Sequence, residues 1–430
     1  MEIAELKDKI LSGGLDGAFS LLYSSRPGGI GHARERCADL LGRFAGKFGG
    51  NSGVRLFSSP GRAEICGNHT DHNYGTVVSA TVDLDMLAAA ADNGSRIIRV
   101  CSDGFGEAEI NLDDLEKKPE EQMRGIALLR GICSEFIYRG YGIGGFDAYI
   151  ISDVPSGMGL SSSACIEVLF CSIISGLFCE GMVSPIDMAY ISRYAENEYY
   201  GKPSGMMDQL TCAMGGFLKL DFANPASPDI YSIDTPIEAM GLDMVAINFG
   251  VDHSSTVGKY AAVHDDMFRA AEFCGAKYLR EVTRERFEDH IDAMRSVLGD
   301  NITLRAIHFF NENDRSAELV RVMRRNDREG FLRIISDSGR SSFAYLKNVT
   351  EVRDEASQQI TTAFALAEYY AQGRGAFRVH GGGFSGSLIG FIDKELTEDF
   401  IISMERHLGS GVCTILNMRP LGGCELSITD

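Results

Sequence analysis

The stretch Pro155-Ser-Gly-Met-Gly-Leu-Ser-Ser-Ser-Ala164 constrains this chain more than any other. It follows Phe146, Ala148 and Ile150, whose alternation predicts a strand, and it precedes Ser162–Phe178, whose mostly apolar residues predict a buried helix. Between the two, Gly157 and Gly159 let the backbone bend and come close to a ligand. Ser161, Ser162 and Ser163 lead into the helix, where exposed N–H groups and the positive end of the helix dipole make an anion site. Their hydroxyls add donors and an oxygen ligand for Mg²⁺. An ordinary serine-capped turn is the alternative reading. The loop is not a Walker A site, because no Gly-x-x-x-x-Gly-Lys-[Ser/Thr] occurs.

Charge narrows what the anion can be. With 41 Lys+Arg against 60 Asp+Glu the net charge is −19, which excludes a protein whose whole surface binds nucleic acid. A local nest of N–H groups still holds a small anionic ligand inside an acidic protein. The 430 residues allow two or three domains with a proper core. Eleven cysteines at scattered spacing, with no CxxC pair, read as reduced core thiols rather than zinc or redox motifs. Met1–Ile10 lacks a signal-like apolar run, and the longest apolar segment, around Ile166–Phe178, is too short to span a bilayer. These features predict a cytoplasmic protein with no membrane partner.

Elsewhere strand-like and helix-like stretches alternate without a repeat. Val54–Ser58 reads as a short strand ended by a Pro60-Gly61 turn, and Val77–Ala91 as a longer one. Helical spacing marks Gly125–Tyr138. Ser184-Pro185 with Asp187 predicts a capped helix running to about Tyr199. Leu242–Phe249 reads as a strand, with helices over about Val257–Phe273, Ala317–Arg325 and Glu351–Tyr370. Phe377–Ile392 reads as strand–glycine loop–strand, and Leu396–Leu408 as a last helix. The best domain border follows Gly215-Gly216, giving 1–216 and 217–430.

Three further segments carry polar chemistry. Pro60-Gly-Arg-Ala-Glu-Ile-Cys-Gly-Asn-His-Thr-Asp-His-Asn-Tyr-Gly75 crowds short polar side chains suited to a polyhydroxylated ligand, with Asp71 able to accept from two vicinal hydroxyls. A metal on His69, Asp71 and His72 is the rival, although the spacing matches no standard zinc pattern. Gly201-Lys-Pro-Ser-Gly-Met-Met-Asp-Gln209 sets Asp208 among uncharged neighbours, either a working carboxylate or a helix cap. Arg378-Val-His-Gly-Gly-Gly-Phe-Ser-Gly386 is a glycine run that close packing explains as well as a ligand does.

In this order the four segments resemble the galactokinase branch of the GHMP small-molecule kinases, from about Phe44 onward. The resemblance implies an α+β protein of two domains, with ATP and a sugar meeting in the cleft between them. It implies that Asp208 lies beside the anomeric hydroxyl as base or orienter, with Arg62 steadying it and the migrating phosphoryl group. Ser163 and Glu196 would hold Mg²⁺, and Gly157, Gly159 and Ser161–Ser163 the nucleotide phosphates. Asn68, His69, Asp71 and Tyr260 would contact the sugar together with Asp208.

The chain departs from the family pattern at Asn68, where Glu is usual, at His72, where Tyr is usual, and at Ser204, His380 and Ser385. The implied activity is an ATP-dependent sugar 1-kinase acting on galactose or a close relative. Two alternatives stand beside it. One is a galacturonate 1-kinase, since the uncharged Asn68 lifts a repulsion against a substrate carboxylate. The other is a non-catalytic sensor of sugar and ATP.

Overall fold

Thr76–Asp92 is a 17-residue strand almost wholly buried, and it organises the larger of two sheets. The computed structural model describes residues 2–23, 26–50, 53–103, 106–155, 157–248, 257–349, 358–384 and 387–427, the side chains of Val257 and Tyr260 excepted. In chain order the strands are β1 (Arg55–Cys66), β2 (Thr76–Asp92), β3 (Ile97–Ser102), β4 (Gly106–Asn111), β5 (Phe146–Ser152), β6 (Phe217–Asp221) and β7 (Asp229–Ser232). They continue with β8 (Leu242–Asn248), β9 (Gly375–Val379), β10 (Ser387–Asp393), β11 (Cys413–Leu416) and β12 (Cys424–Leu426). The larger sheet runs β12-β1-β2-β5-β3-β4, with β6 on the first part of β2 and β7 beyond it. The smaller runs β11-β8-β10-β9. The chain is α+β.

Period-two alternation puts the two faces of β2 to different uses. Met86, Ala88 and Ala90 join the main core with the helices Gly125–Tyr138 and Ser162–Phe178, through Leu129, Ile132 and Ile173. Leu87, Ala89 and Ala91 pack against Phe19, Leu40 and Phe44 of the helices Asp16–Tyr23 and Gly29–Phe48. Asp85 is fully buried on the same strand, paired with Arg36 at 2.8 Å and with Arg419 at 3.1 Å. Tyr23 and Ser58 also donate to it. One carboxylate thereby ties the N-terminal helices to the segment that leads into β12.

The sequence reading holds for the helices at Gly125–Tyr138, Ser162–Phe178 and Val257–Phe273. It needs correction at Pro60-Gly61, which does not end a strand. β1 continues through it with a register shift against β2 between Pro60 and Arg62. A bulge absorbs what the local sequence signals as a turn. The helix begun at Pro185 gives way at Ala195 to a π-helical turn over Ala195–Tyr200. Ala317–Arg325 is only the end of a 25-residue helix, Asp300–Arg324. Phe249 and residues 351–357 of the reading lie outside the described residues.

Candidate active site

The glycine–serine loop, β1 and the segment before the helix Met207–Met214 converge on one cavity of about 580 Å³. Gly157 and Gly159 both take positive φ, +82° and +73°. A Cβ on Gly159 would stand 3.0 Å from both His380 and Ser387, so the loop lies close against the last glycine segment. His380 fastens this contact: its Nδ1 meets the Met158 carbonyl at 3.0 Å, and its Nε2 accepts from the Glu64 N–H at 3.2 Å. Burial holds the His380 imidazole neutral, its pKa lowered to about 3. Ser161 is left-handed and does not cap the helix it precedes. Ser161–Ser163 all line the cavity at the helix start, the arrangement that suits an anion.

Arg62 and Asp208 form the floor. Two parallel hydrogen bonds join them, Nε to Oδ1 at 2.7 Å and Nη2 to Oδ2 at 2.8 Å. Arg62 also donates to the Gly159 carbonyl, and Ser161 Oγ donates to Asp208. Burial opposes charge on Asp208, but the Arg62 guanidinium and these hydrogen bonds outweigh it and hold the carboxyl below its usual range. Asp208 is therefore an ionised, oriented carboxylate.

Glu196 stands behind this pair on the π-helical turn, 2% exposed. Its Oε1 faces Ser163 Oγ at 3.3 Å and Lys202 Nζ at 2.9 Å. Its Oε2 accepts from Ser204 at 2.6 Å and Gln209 at 2.7 Å. Lys202 lines the cavity and adds a cation that sequence reasoning missed. A lysine four residues after Glu198 and inside a glycine-bounded segment carried no signal by spacing.

Asp71, His69 and Asn68 form the opposite wall. Burial, then the neighbouring charges of Asp208 and Glu64, raise the Asp71 pKa to about 7. His69 meets the Gly382 carbonyl at 2.8 Å, and burial lowers its pKa to about 4. Asn68 is committed to the protein: its NH₂ donates to Glu64 at 3.0 Å and to the Gly381 carbonyl at 2.7 Å, while its oxygen accepts from Asn348 at 2.8 Å. Glu64 is the second residue that sequence reasoning missed. It is 3% exposed and lines the cavity, and Arg378 holds it at 2.8 Å. The side chain of Tyr260 and Ser385 lie outside the described residues. Among those described, no cluster of three His, Cys, Asp or Glu could hold a metal, so His69, Asp71 and His72 do not form one.

Known proteins resemble this chain over most of its length. Residues 42–92 match the galactokinase galactose-binding signature, and residues 127–216 match the GHMP kinases N terminal domain. A galactokinase of Glaesserella parasuis is 30% identical over 368 residues, spanning 83% of this chain and 89% of that protein. The chain belongs to the galactokinase family. A Bacillus subtilis galactokinase is 27% identical over 84% of this chain and 91% of that one. The crystal structure of Lactococcus lactis galactokinase complexed with galactose superimposes with a TM-score of 0.78 at 24% identity, covering 90% of this chain and 99% of that one. As a member of the family this chain is a sugar-kinase phosphotransferase.

Proposed function

We propose that this chain transfers the γ-phosphoryl group of ATP to the anomeric hydroxyl of galactose. The observation that carries this reading is the Arg62–Asp208 pair, set between the glycine–serine loop and the wall formed by Asp71. Phosphoryl transfer asks chiefly for alignment and for cancellation of spreading negative charge. Asp208 accepts a hydrogen bond from the sugar hydroxyl and orients it. Its lowered pKa supports orientation over abstraction beforehand, with the hydroxyl proton passing to Asp208 late, as the new O–P bond forms and the O–P bond to ADP breaks. Arg62, Lys202 and the start of the helix Ser162–Phe178 supply positive charge to the phosphates.

Asp71 accepts from two sugar hydroxyls and His69 adds a neutral imidazole, while Glu64 accepts a further hydroxyl. An apolar cavity of about 120 Å³ beside the first turns of the same helix, walled by Val100, Ile126, Leu129, Ile166 and Phe170, suits the nucleotide base. For Mg²⁺ the donor set fits in part. Ser163 Oγ and Glu196 Oε1 are neighbours, a hard-oxygen pair that phosphate oxygens and water would complete. Lys202 shares Glu196 Oε1 and must give way to the ion. When bound, Mg²⁺ neutralises charge on the phosphates.

The division into 1–216 and 217–430 is proposed on content. The first part holds the glycine–serine loop and Asp208, the second the smaller sheet and Gly381–Gly383, while β6, β7 and β12 cross over to the larger sheet. We place the activity in the cytosol, a setting with which eleven unpaired cysteines agree. Among the described residues no helix is long and apolar enough to cross a membrane.

ADP release coupled to a sugar panel tests the reading. Galactose is expected to drive turnover, and release with no sugar on the panel overturns it in favour of the sensor.

A further inference from the structure

Arg378 and His380 stand two residues apart where β9 runs out, so their side chains leave the chain on one face. His380 continues the strand pairing, its N–H donating to the Ser387 carbonyl at 3.1 Å. Both side chains reach Glu64 on β1. Arg378 donates to the Glu64 carbonyl at 2.9 Å, and His380 Nε2 accepts from the Glu64 N–H. The other ring nitrogen, Nδ1, is bound to the Met158 carbonyl in the glycine–serine loop at 3.0 Å. A carbonyl only accepts and an N–H only donates, so these partners fix the ring as the Nδ1–H tautomer. The ring is fully buried and does not line the cavity. It spans three segments of the chain and touches none of the reacting groups.

What the ring holds is a peptide plane. The peptide bonds are trans, so the Gly159 N–H points opposite the Met158 carbonyl and away from His380. The next two carbonyls are fixed as well, that of Gly159 by the Arg62 side chain and that of Leu160 by the Arg62 N–H at 3.0 Å. Three successive carbonyls thus turn toward His380 and Arg62, and the N–H groups of Gly159, Leu160 and Ser161 turn the other way. Among the described residues none of these three N–H groups has an acceptor, and all three residues line the main cavity. Successive free N–H groups on such a loop make a nest for an anion. Arg62 fixes two of the carbonyls and also holds Asp208. The remaining carbonyl falls to His380 alone.

We propose that His380 is a positioning residue for the nucleotide: by holding the Met158 carbonyl it aims the Gly159 N–H at a phosphate oxygen of ATP. The inference rests on the sugar-kinase reading. Calorimetry with the non-hydrolysable analogue AMPPNP and Mg²⁺ measures nucleotide Kd, and ADP release gives KM for ATP and for galactose. Counted along the side chain from Cγ, the amide nitrogen of Asn matches Nδ1 and the amide oxygen of Gln matches Nε2. His380→Asn therefore keeps the bond to Met158 and gives up the one to Glu64, whereas His380→Gln does the reverse. His380→Asn is expected to hold the AMPPNP Kd within about threefold of native, and His380→Gln to weaken it about tenfold, the scale of one lost hydrogen bond. KM for ATP should rise alongside in His380→Gln while KM for galactose holds. Equal nucleotide affinity in the two variants, or losses that follow their melting temperatures instead of the nitrogen retained, overturns the clamp and leaves the kinase reading intact. No AMPPNP binding by the native protein overturns the kinase reading and the clamp with it. Where a variant does not fold, magnetic resonance of native protein with isotope-labelled histidine decides. The His380 Nδ1–H resonance is expected to shift when AMPPNP binds, and an unmoved resonance overturns the clamp.

Discussion

Asn68 Nδ2 donates to Glu64 Oε1 at 3.0 Å, four residues apart in the chain and on one wall of the cavity. The amide that a sequence comparison reads as a lost negative charge therefore sits against a carboxylate. Arg378, which is fully buried, balances that carboxylate from behind and leaves it facing the cavity. Native protein is accordingly expected to reject galacturonate, because like charges brought together cost several kcal/mol. Comparing kcat/KM for galactose and galacturonate checks this, and efficient use of galacturonate would show that Glu64 does not guard the site. Glu64→Gln is expected to narrow the gap between the two sugars and to lower the melting temperature, since Arg378 loses its counter-charge.

Asp208→Asn keeps the shape and an acceptor oxygen but removes the charge that Arg62 holds. Turnover should fall by about 10²–10⁴, the usual span for a positioned carboxylate, while calorimetry still detects sugar binding. A variant within a few-fold of the native rate would make Asp208 structural.

Ser163→Ala removes one oxygen beside Glu196. The Mg²⁺ concentration for half-maximal rate is expected to rise about tenfold or more, on the scale at which even outer partners of metal sites act. Sugar Kd should hold. An unchanged Mg²⁺ titration would put the ion elsewhere, with Ser162 next in line.

Asp71, with a pKa near 7 in the folded protein, predicts pH-dependent sugar affinity. Sugar hydroxyls donate to the ionised carboxylate, and that form declines as pH falls through 7. Sugar Kd should therefore weaken below about pH 7, approaching tenfold per pH unit at the limit. Asp71→Asn should bind weakly with a flat profile, and a native profile that is flat from pH 5 to 8 would remove Asp71 from the contact.

Asp85→Asn tests the clasp of the larger sheet. It leaves Arg36 and Arg419 buried beside an uncharged amide, and loss of one partner from such a network costs about 3–5 kcal/mol. Urea unfolding followed by circular dichroism should show the midpoint falling, with the m-value unchanged.

Local sequence carried some of this architecture and not the rest. Ser162–Phe178 was legible because its apolar run, serine-rich start and preceding glycines all speak for the same element. The strand through Pro60 was not, because its partners are residues of β2 that no local signal names. Arg62, Asp71, Glu196 and Asp208 were legible from motifs, and the structure brings them around one cavity. Glu64 was hidden because its position depends on Arg378, which is 314 residues away. Lys202 was hidden for the same kind of reason: what matters about it is the company that folding assembles.

β1 carries Arg62, and its two neighbours in the sheet lie far from each other in the chain, β2 just after it and β12 at Cys424–Leu426. As the protein emerges from the ribosome, one side of β1 pairs early while the other waits for Cys424–Leu426. Until Cys424–Leu426 has been made, that edge is an unpaired backbone ladder able to recruit an extended strand. The sheet that fixes the arginine closes on this side only once Cys424–Leu426 has emerged, so a chain arrested before that point carries an exposed, aggregation-prone border in place of a working centre.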